Sequence, residues 1–199
     1  LLRLTGEGEI FFLQERIGKD GKKFELFKFA TMLKNSPDIG TGTVTMKNDP
    51  RVLPLGRFLR KTKINELPQL LNIFFGDMSV IGPRPLTSQA FETYSDNTKC
   101  LIKKVRPGLS GIGSIVFRDE EEIMHGATGS IDFYENVIAP YKGELEEWFV
   151  SNKSLYIYFV AIFVTAWAVL IPSTKIVWRV FKDLPKPPND LKQALNFTD

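Results

Sequence analysis

The 199-residue chain contains one cysteine and one histidine. Cys100 has no partner for an internal disulfide, and His125 alone cannot build a multi-histidine metal site. Both shortages favour a reducing, cytosol-facing protein, with Cys100 on a helix face and His125 on the surface or in a loop. Net charge is also small: 26 Lys plus Arg against 23 Asp plus Glu leaves +3, too little to announce a nucleic-acid binder. The sequence has no Walker A loop, no Gly-x-Gly-x-x-Gly after a strand, no His-Glu-x-x-His and no Gly-x-Ser-x-Gly. P-loop, dinucleotide, zincin and serine-hydrolase chemistry therefore have no signature here. The chain starts Leu1-Leu2-Arg3, with neither an initiator methionine nor a signal-peptide pattern, and an upstream segment is expected. At 43% hydrophobic and 25% charged it can bury a core, which excludes a disordered tail, a collagen-like fibre and a small disulfide scaffold.

The small net charge hides an asymmetry. Residues 1–110 hold 18 basic and 11 acidic side chains, residues 111–199 hold 8 and 12. In the basic half, Lys19-Asp20-Gly21-Lys22 separates two β-prone runs, predicting a hairpin over Ile10 to Met32 whose central turn residues take positive φ. Asn35 to Pro50, rich in Gly, Thr, Asn and Pro, reads as an extended loop. Leu55, Phe58 and Leu59 fall at helical spacing. A second helix follows, with Asn65 as N-cap, Pro68 in its first turn, Leu67, Leu70, Leu71 and Phe74 as its buried stripe, and Gly76 at its end. Met78 to Pro85 reads as a rigid turn and Thr87 to Lys104 as a helix. Asp119 to Glu122 is an acidic helix start, and Ile131 to Trp148 is helical with a break at Pro140. A loose tail is expected around Lys186-Pro187-Pro188. The fold class is α+β, mostly helical: a β-hairpin and short helices around a phosphate-binding site, with membrane-interface helices.

Arg60-Lys61-Thr62-Lys63-Ile64-Asn65-Glu66 carries the richest chemistry. A basic cluster runs into a helix start, where free N–H groups favour anions. Glu66 beside phosphates and cations can ligate Mg²⁺ or act as nucleophile or base. The plainer reading is that Asn65 and Glu66 cap a helix. Arg84 and Arg106, each beside proline or glycine, are stiffly held guanidinium groups suited to clamping phosphate, or simply to satisfying local carbonyls. The run Asp119-Glu120-Glu121-Glu122 reads as a solvated helix start before a metal site. Phe24, Phe27 and Phe29 among Lys22, Lys23 and Lys28 fit a hairpin core before a base-stacking surface.

Taken together, these segments resemble the bacterial sugar transferase family, the monotopic polyprenyl-phosphate phosphoglycosyl transferases. The matching stretches are Gln14-Glu15-Arg16-Ile17-Gly18, Phe27-Lys28-Phe29 with Thr31-Met32, Asp49-Pro50-Arg51-Val52 and Gly56-Arg57-Phe58-Leu59-Arg60-Lys61-Thr62. They continue through Glu66-Leu67-Pro68-Gln69-Leu70, Asn72, Gly76-Asp77-Met78-Ser79 and Gly82-Pro83-Arg84-Pro85 to Arg106-Pro107-Gly108-Leu109-Ser110-Gly111. The resemblance implies transfer of a sugar phosphate from a nucleotide-diphosphate sugar, a UDP-sugar, to polyprenyl (undecaprenyl) phosphate. A nucleoside monophosphate is released, as the first step of exopolysaccharide, capsule or O-antigen synthesis. It further implies a Mg²⁺ cofactor, a site at the cytoplasmic face of the bacterial inner membrane, no nucleic-acid partner, and a re-entrant membrane helix upstream of Glu9. A homodimer is left open. Arg60, Arg84, Arg106 and Lys28 are expected to hold substrate phosphates, and Glu66 the metal. The family's catalytic dyad is Asp-Glu, and here it reads Asn65-Glu66. An amide is a poor nucleophile, so three routes stay open: Glu66 attacks, the lipid phosphate attacks directly with Asn65 orienting phosphate, or the chain is a catalytically silent membrane-surface scaffold. Ala30 also stands where the family commonly carries Arg.

Leu155 to Ile171 is 17 residues without a charge, ending at Pro172. As a helix it reaches about 26 Å, short of a roughly 30 Å hydrocarbon core. Lys175, Arg179, Lys182 and Lys186 after it would place a single span's catalytic side away from cytosolic nucleotide sugars. A partly embedded helix docked on the domain is expected instead, with Trp148, Tyr156, Tyr158, Trp167 and Trp178 at the interface. Residues 1–150 are then the catalytic domain and 151–199 the membrane-associated helix and tail.

Overall fold

A hairpin, a series of short helices and two longer helices near the C-terminus make up the protein in a computed structural model, which describes residues 2–40, 45, 48–124, 131–171 and 175–197. His125 and Pro172 lie outside the described residues. After a single helical turn, α1 (Leu2–Thr5), strands β1 (Phe11–Ile17) and β2 (Lys23–Phe29) pair antiparallel from Phe11 opposite Phe29 to Ile17 opposite Lys23. The turn has the expected chemistry: Asp20 has φ 59° and Gly21 φ 73°. Leu26 is buried on one hairpin face, and Phe29 stacks on Phe11 with ring centroids 5.7 Å apart, so Phe29 serves the hairpin itself. The described part of the following loop is not simply extended. Its Ser36–Asp38 turn wraps the buried Arg51, whose Nη1 donates to the carbonyls of Ser36 and Ile39, each at 2.7 Å, and whose Nη2 pairs with Asp49 at 2.6 Å.

Helix α2 (Pro54–Lys61) leads through Lys63, at φ 60°, into a 3-10 turn at Ile64–Glu66, and α3 (Gln69–Phe75) starts only after Pro68. This corrects two expectations. Asn65 lies in the turn and caps no helix with its side chain. The stripe Leu67, Leu70, Leu71 and Phe74 is exposed, Leu70 at 53% and Phe74 at 82%, while Gln69 and Asn72 are buried. The reason lies in Asn72. Its Oδ1 accepts the Phe27 N–H at 3.0 Å and its Nδ2 donates to the Glu25 carbonyl at 2.7 Å, so the polar face of α3 completes hydrogen bonds of β2 and the apolar face turns out. Gly76 ends the helix at φ 88°, as expected.

Strands β3 (Ser79–Ile81) and β4 (Gly108–Ser110) form a parallel pair, the first of them inside the Met78 to Pro85 stretch that reads as a turn. The backbones approach so closely that a Cβ on Gly108 would sit 2.1 Å from the Gly82 nitrogen, so the glycines serve contact. Between the strands the expected single helix is two, α4 (Ser88–Glu92) and α5 (Asp96–Ile102), because Ser95 caps the second by accepting the Thr98 N–H at 3.1 Å.

Helices α6 (Ile112–Val116) and α7 (Glu120–Ile123) precede α8 (Ile131–Phe133), which runs without a break through a π turn at Tyr134–Ile138 into α9 (Ala139–Asn152). Pro140 falls in the first turn of α9, and the widened turn before it lets the Ala139 N–H reach the Tyr134 carbonyl. Helix α10 (Leu155–Leu170), capped by Ser154, lays Ala161, Val164 and Ala168 on a core that includes Ile112, Val116, Ile138 and Leu145. Its other side is apolar and open, with Leu155 79% and Leu170 80% exposed. Among the described residues no helix is long and apolar enough to cross a membrane.

The C-terminal segment is packed, not loose. After α11 (Lys175–Val180), Tyr141 donates to the Pro185 carbonyl at 2.8 Å, and Leu191 of α12 (Asn189–Lys192) and Leu195 are fully buried. Leu191 and Leu195, four residues apart, share one helical face, which outweighs the proline-rich approach. Trp148 and Trp178 belong to this packing, against Phe181 at 5.7 Å and Phe197 at 5.1 Å, so of the expected interfacial aromatics Tyr156 and Trp167 are the exposed ones.

Asn72→Ala leaves the Phe27 N–H and Glu25 carbonyl without partners in a partly buried place, and is expected to cost about 1–2 kcal/mol of unfolding free energy. Urea denaturation checks this, with Leu70→Ala on the exposed face of α3 costing less than about 0.5 kcal/mol in the same assay.

Candidate functional site

The local backbone aims Glu66. Lys63 in the left-handed region closes α2, and the 3-10 turn then presents Asn65 inward and Glu66 toward the hairpin and the Pro83–Pro85 turn. The Glu66 carboxylate has Arg84 Nη2 3.9 Å from Oε1, and Oε2 accepts from Gln69 Nε2 at 3.3 Å. Burial pushes this carboxyl up, but Arg84, Lys28, Lys63 and the Gln69 hydrogen bond outweigh it and hold the group below its usual value, so Glu66 is ionised at neutral pH.

Lys28 lies on the hairpin face that also carries Gln14, Arg16 and Leu26, because Phe12 opposes Lys28 and Arg16 opposes Phe24. Burial, and next the Arg16 charge, lower the Lys28 pKa to about 7. Arg16 is itself lowered to about 10, by burial and then by Arg84. Its Nη1 donates to the Pro85 carbonyl at 3.0 Å, bracing the turn that bears Arg84. Arg60, half-buried at the end of α2 with Nη1 3.8 Å from Met32 Sδ, is a further cation acting on Lys28. A small recess runs between Leu26, Lys28, Gln69, Arg84 and Leu109.

Lys28, Arg60, Glu66 and Arg84 are thus brought together, and Asn65 adjoins them. Asn65 is 6% exposed and its Oδ1 has no hydrogen-bond partner among the described residues, an acceptor facing no donor. Arg106 is placed elsewhere. It is exposed, lies against Gly76 with Nη2 3.7 Å from where a Cβ would stand, and is not among the dominant charges acting on Lys28, Glu66 or Arg84. Arg16 is the residue that motif reading assigned no role. Its signal is strand alternation, which puts positions 16 and 28 on one face once the hairpin register is known.

Glu120, in the acidic run, pairs with Lys142 at 2.6 Å and is held below its usual value by that charge against burial, so it is committed within the fold. Among the described residues no three Asp, Glu, His or Cys side chains converge as a metal cluster. Mg²⁺ does not need one: it is commonly held by one or two carboxylates together with substrate phosphates. Glu66 and the orphaned Asn65 oxygen are hard donors of that kind, so the residues present fit such an ion.

Chemically, one ionised carboxylate stands among guanidinium and ammonium groups from the hairpin, α2 and the β3 turn. Such an arrangement binds a polyanion whose charges match the surplus cations, and diphosphates have that charge density.

The sequence model of the family described as "Bacterial sugar transferase" matches residues 1–172. The chain is 31% identical over 177 residues to the undecaprenyl-phosphate galactose phosphotransferase of Salmonella typhimurium, covering 82% of this chain and 34% of that protein. It is 36% identical over 134 residues to the exopolysaccharide production protein ExoY of Rhizobium meliloti, covering 60% of this chain and 59% of that one. With the UDP-glucose:undecaprenyl-phosphate glucose-1-phosphate transferase of Escherichia coli the figures are 35% over 137 residues, 66% and 29%. The chain therefore spans less than two thirds of the length of each of these relatives.

Lys28 is expected to titrate near pH 7 in the ligand-free protein, cationic below and neutral above. Inorganic pyrophosphate in the recess favours the cation and moves the midpoint upward. Carbon-13 NMR of the lysine Cε, assigned through Lys28→Arg, reads both values; a midpoint near 10.5 without ligand would contradict the burial argument.

Proposed function

The chain belongs to the bacterial sugar transferase family, and we propose that it transfers a sugar phosphate from a UDP-sugar to undecaprenyl phosphate, releasing UMP and starting a surface glycan. The observation that carries this reading is the ionised Glu66 facing Arg84 inside a cluster of cations drawn from separate segments. The names of relatives, which specify undecaprenyl phosphate and UDP-sugars, support the substrate pair.

Asn65 sets the route. A side-chain amide is not nucleophilic at phosphorus, so an oxygen of the lipid phosphate attacks the sugar-bearing phosphorus directly. A new P–O bond forms, the anhydride P–O bond to the nucleotide breaks, and UMP leaves with the bonding electron pair. Arg84, Arg60 and Lys28 hold the phosphates in line and meet the charge that develops on the equatorial oxygens. Arg106, beside the exposed Phe74 and Phe75 at the end of α3, is suited to the lipid phosphate. Mg²⁺, held by Glu66 and Asn65 Oδ1, would supply neutralisation of the diphosphate charge.

The apolar surfaces of α3 and α10 support a place on the cytoplasmic face of the inner membrane, where the lipid substrate resides. A monomeric soluble protein rarely leaves so many large apolar side chains open on neighbouring turns. The 16-residue α10 lies on its own domain through one face, as a partly embedded helix does.

With undecaprenyl phosphate and UDP-glucose or UDP-galactose, the native chain is expected to release UMP, and Glu66→Gln to reduce the rate by about 100-fold or more. An unchanged rate in Glu66→Gln would remove Glu66 from the mechanism. Mass spectrometry is expected to find no phosphosugar adduct on the native chain and an acyl phosphate on Asn65→Asp. An adduct on Glu66 in the native chain would replace direct attack with double displacement, and UMP release by Asn65→Asp alone would mark a silent scaffold.

Flotation with anionic phospholipid vesicles is expected to carry the protein, and Phe74→Glu together with Leu170→Glu to reduce the floated fraction several-fold. Equal flotation of native and doubly substituted protein would refute the membrane placement.

A further inference from the structure

A second carboxylate stands behind Arg84. Glu146, in the middle of α9, is 2% exposed. Its Oε1 accepts the backbone N–H of Arg84 at 3.3 Å, while Oε2 is buried with no hydrogen-bond partner among the described residues. Glycine makes the room. A Cβ on Gly113 would lie 2.6 Å from Oε1, and one on Gly111 3.8 Å from Oε2. A carboxyl buried this deeply with one oxygen unpartnered is costly, and nothing in the mechanism above uses it.

Its contact gives it a use. The Pro83–Pro85 turn is gripped from one side by Arg16, whose Nη1 bonds the Pro85 carbonyl, and from the other by Glu146 at the Arg84 nitrogen. Proline on both sides of Arg84 leaves its N–H as the turn's donor to α9. Pinning that nitrogen fixes the Cα from which the guanidinium reaches Glu66. Burial raises Glu146 to about 7, yet a protonated carboxyl still offers one carbonyl oxygen as acceptor. The acceptor, not the charge, is therefore the part that matters.

We propose that Glu146 is a positioning residue, which anchors the Arg84 turn to α9 and so holds the Arg84 guanidinium against Glu66 and the substrate phosphates. The turnover half of its test rests on the sugar-phosphate transfer reading; the spectroscopic half does not.

UMP release is measured with UDP-glucose and undecaprenyl phosphate. Glu146→Ala is expected to lose about tenfold in the native background and less than about twofold when Arg84 is already alanine, because the residue acts through Arg84. Equal losses in the two backgrounds would overturn the proposal. Glu146→Gln keeps an acceptor oxygen and is expected to stay within about threefold of native; a loss as large as that of Glu146→Ala would also overturn it. Independently of turnover, the Arg84 amide proton is expected to move upfield in the nitrogen-15 correlation spectrum of Glu146→Ala and much less in Glu146→Gln. An unmoved resonance in Glu146→Ala refutes the contact. If the native chain releases no UMP while the Arg84 amide responds as described, the transfer reading fails and the anchoring stands.

Discussion

The side chain of Asn72 does for β2 what a neighbouring strand would do. It offers an oxygen to the Phe27 N–H and takes the Glu25 carbonyl with its amide nitrogen, while its own carbonyl receives the Asp77 and Met78 N–H groups. A two-stranded hairpin alone is marginal in water, and this amide ties it to a helix at a point where an edge would otherwise be open. Three consequences follow from that tie. Helix α3 is rolled so that its polar side faces the protein. Its N-terminal approach, the Ile64–Glu66 turn, is set against Lys28 on the same strand. Its apolar side is delivered to the surface.

The site that results is electrostatically lopsided. Lys28, Arg16, Arg84 and Arg60 gather about a single carboxylate, and burial first, then the neighbouring cations, lets Lys28 lose its proton near neutrality. That loss is reversible. A bound diphosphate brings negative charge of its own, restores the Lys28 ammonium and turns repulsion among the cations into attraction to one ligand. The free protein thus carries a penalty that the substrate removes, which is the arrangement that ties charge compensation to binding. The orphaned Asn65 oxygen belongs to the same pattern, since an acceptor left dry beside Glu66 is satisfied only when a donor or cation arrives.

What the sequence reveals depends on whether the deciding physics is local. The Asp20-Gly21 turn and the Gly76 cap are legible because each rests on the torsional nature of one or two residues, whereas the Ser95 cap that splits Thr87 to Lys104 into two helices is passed over. The gathering of Lys28, Arg60, Glu66 and Arg84 was legible through a set of ordered motifs, although no single motif carried it. The orientation of α3 was not. Helical periodicity shows that Leu67, Leu70, Leu71 and Phe74 share a face, but a protein interior and an external apolar surface ask for the same spacing. The β3 and β4 pair escaped for another reason: strands this short leave no alternation to read, and Gly82 and Gly108 look like turn residues when their use is close backbone approach. Arg16 and Glu146 act through tertiary contacts 69 and 62 residues away, which no local pattern encodes.

Helix α3 also explains why the phosphate site and the apolar surface need to be one assembly. Its seven residues rise about 10 Å, with the Glu66 turn before its first residue and Phe74 and Phe75 at its last. Arg106 rests on Gly76, at the apolar end, and Arg84 on Glu66, at the polar end. An amphiphile whose chain lies along Leu70 and Phe74 would therefore meet a guanidinium as soon as its headgroup clears the apolar surface, and about two further turns of helix would take that headgroup to the carboxylate. A soluble acceptor would gain nothing from the exposed stripe. For a lipid phosphate the stripe would offset the cost of drawing the methylenes next to the headgroup out of the bilayer, at roughly 0.8 kcal/mol each. The outward roll of α3, enforced by one asparagine, is on this argument a requirement of the proposed chemistry and not a defect in the packing.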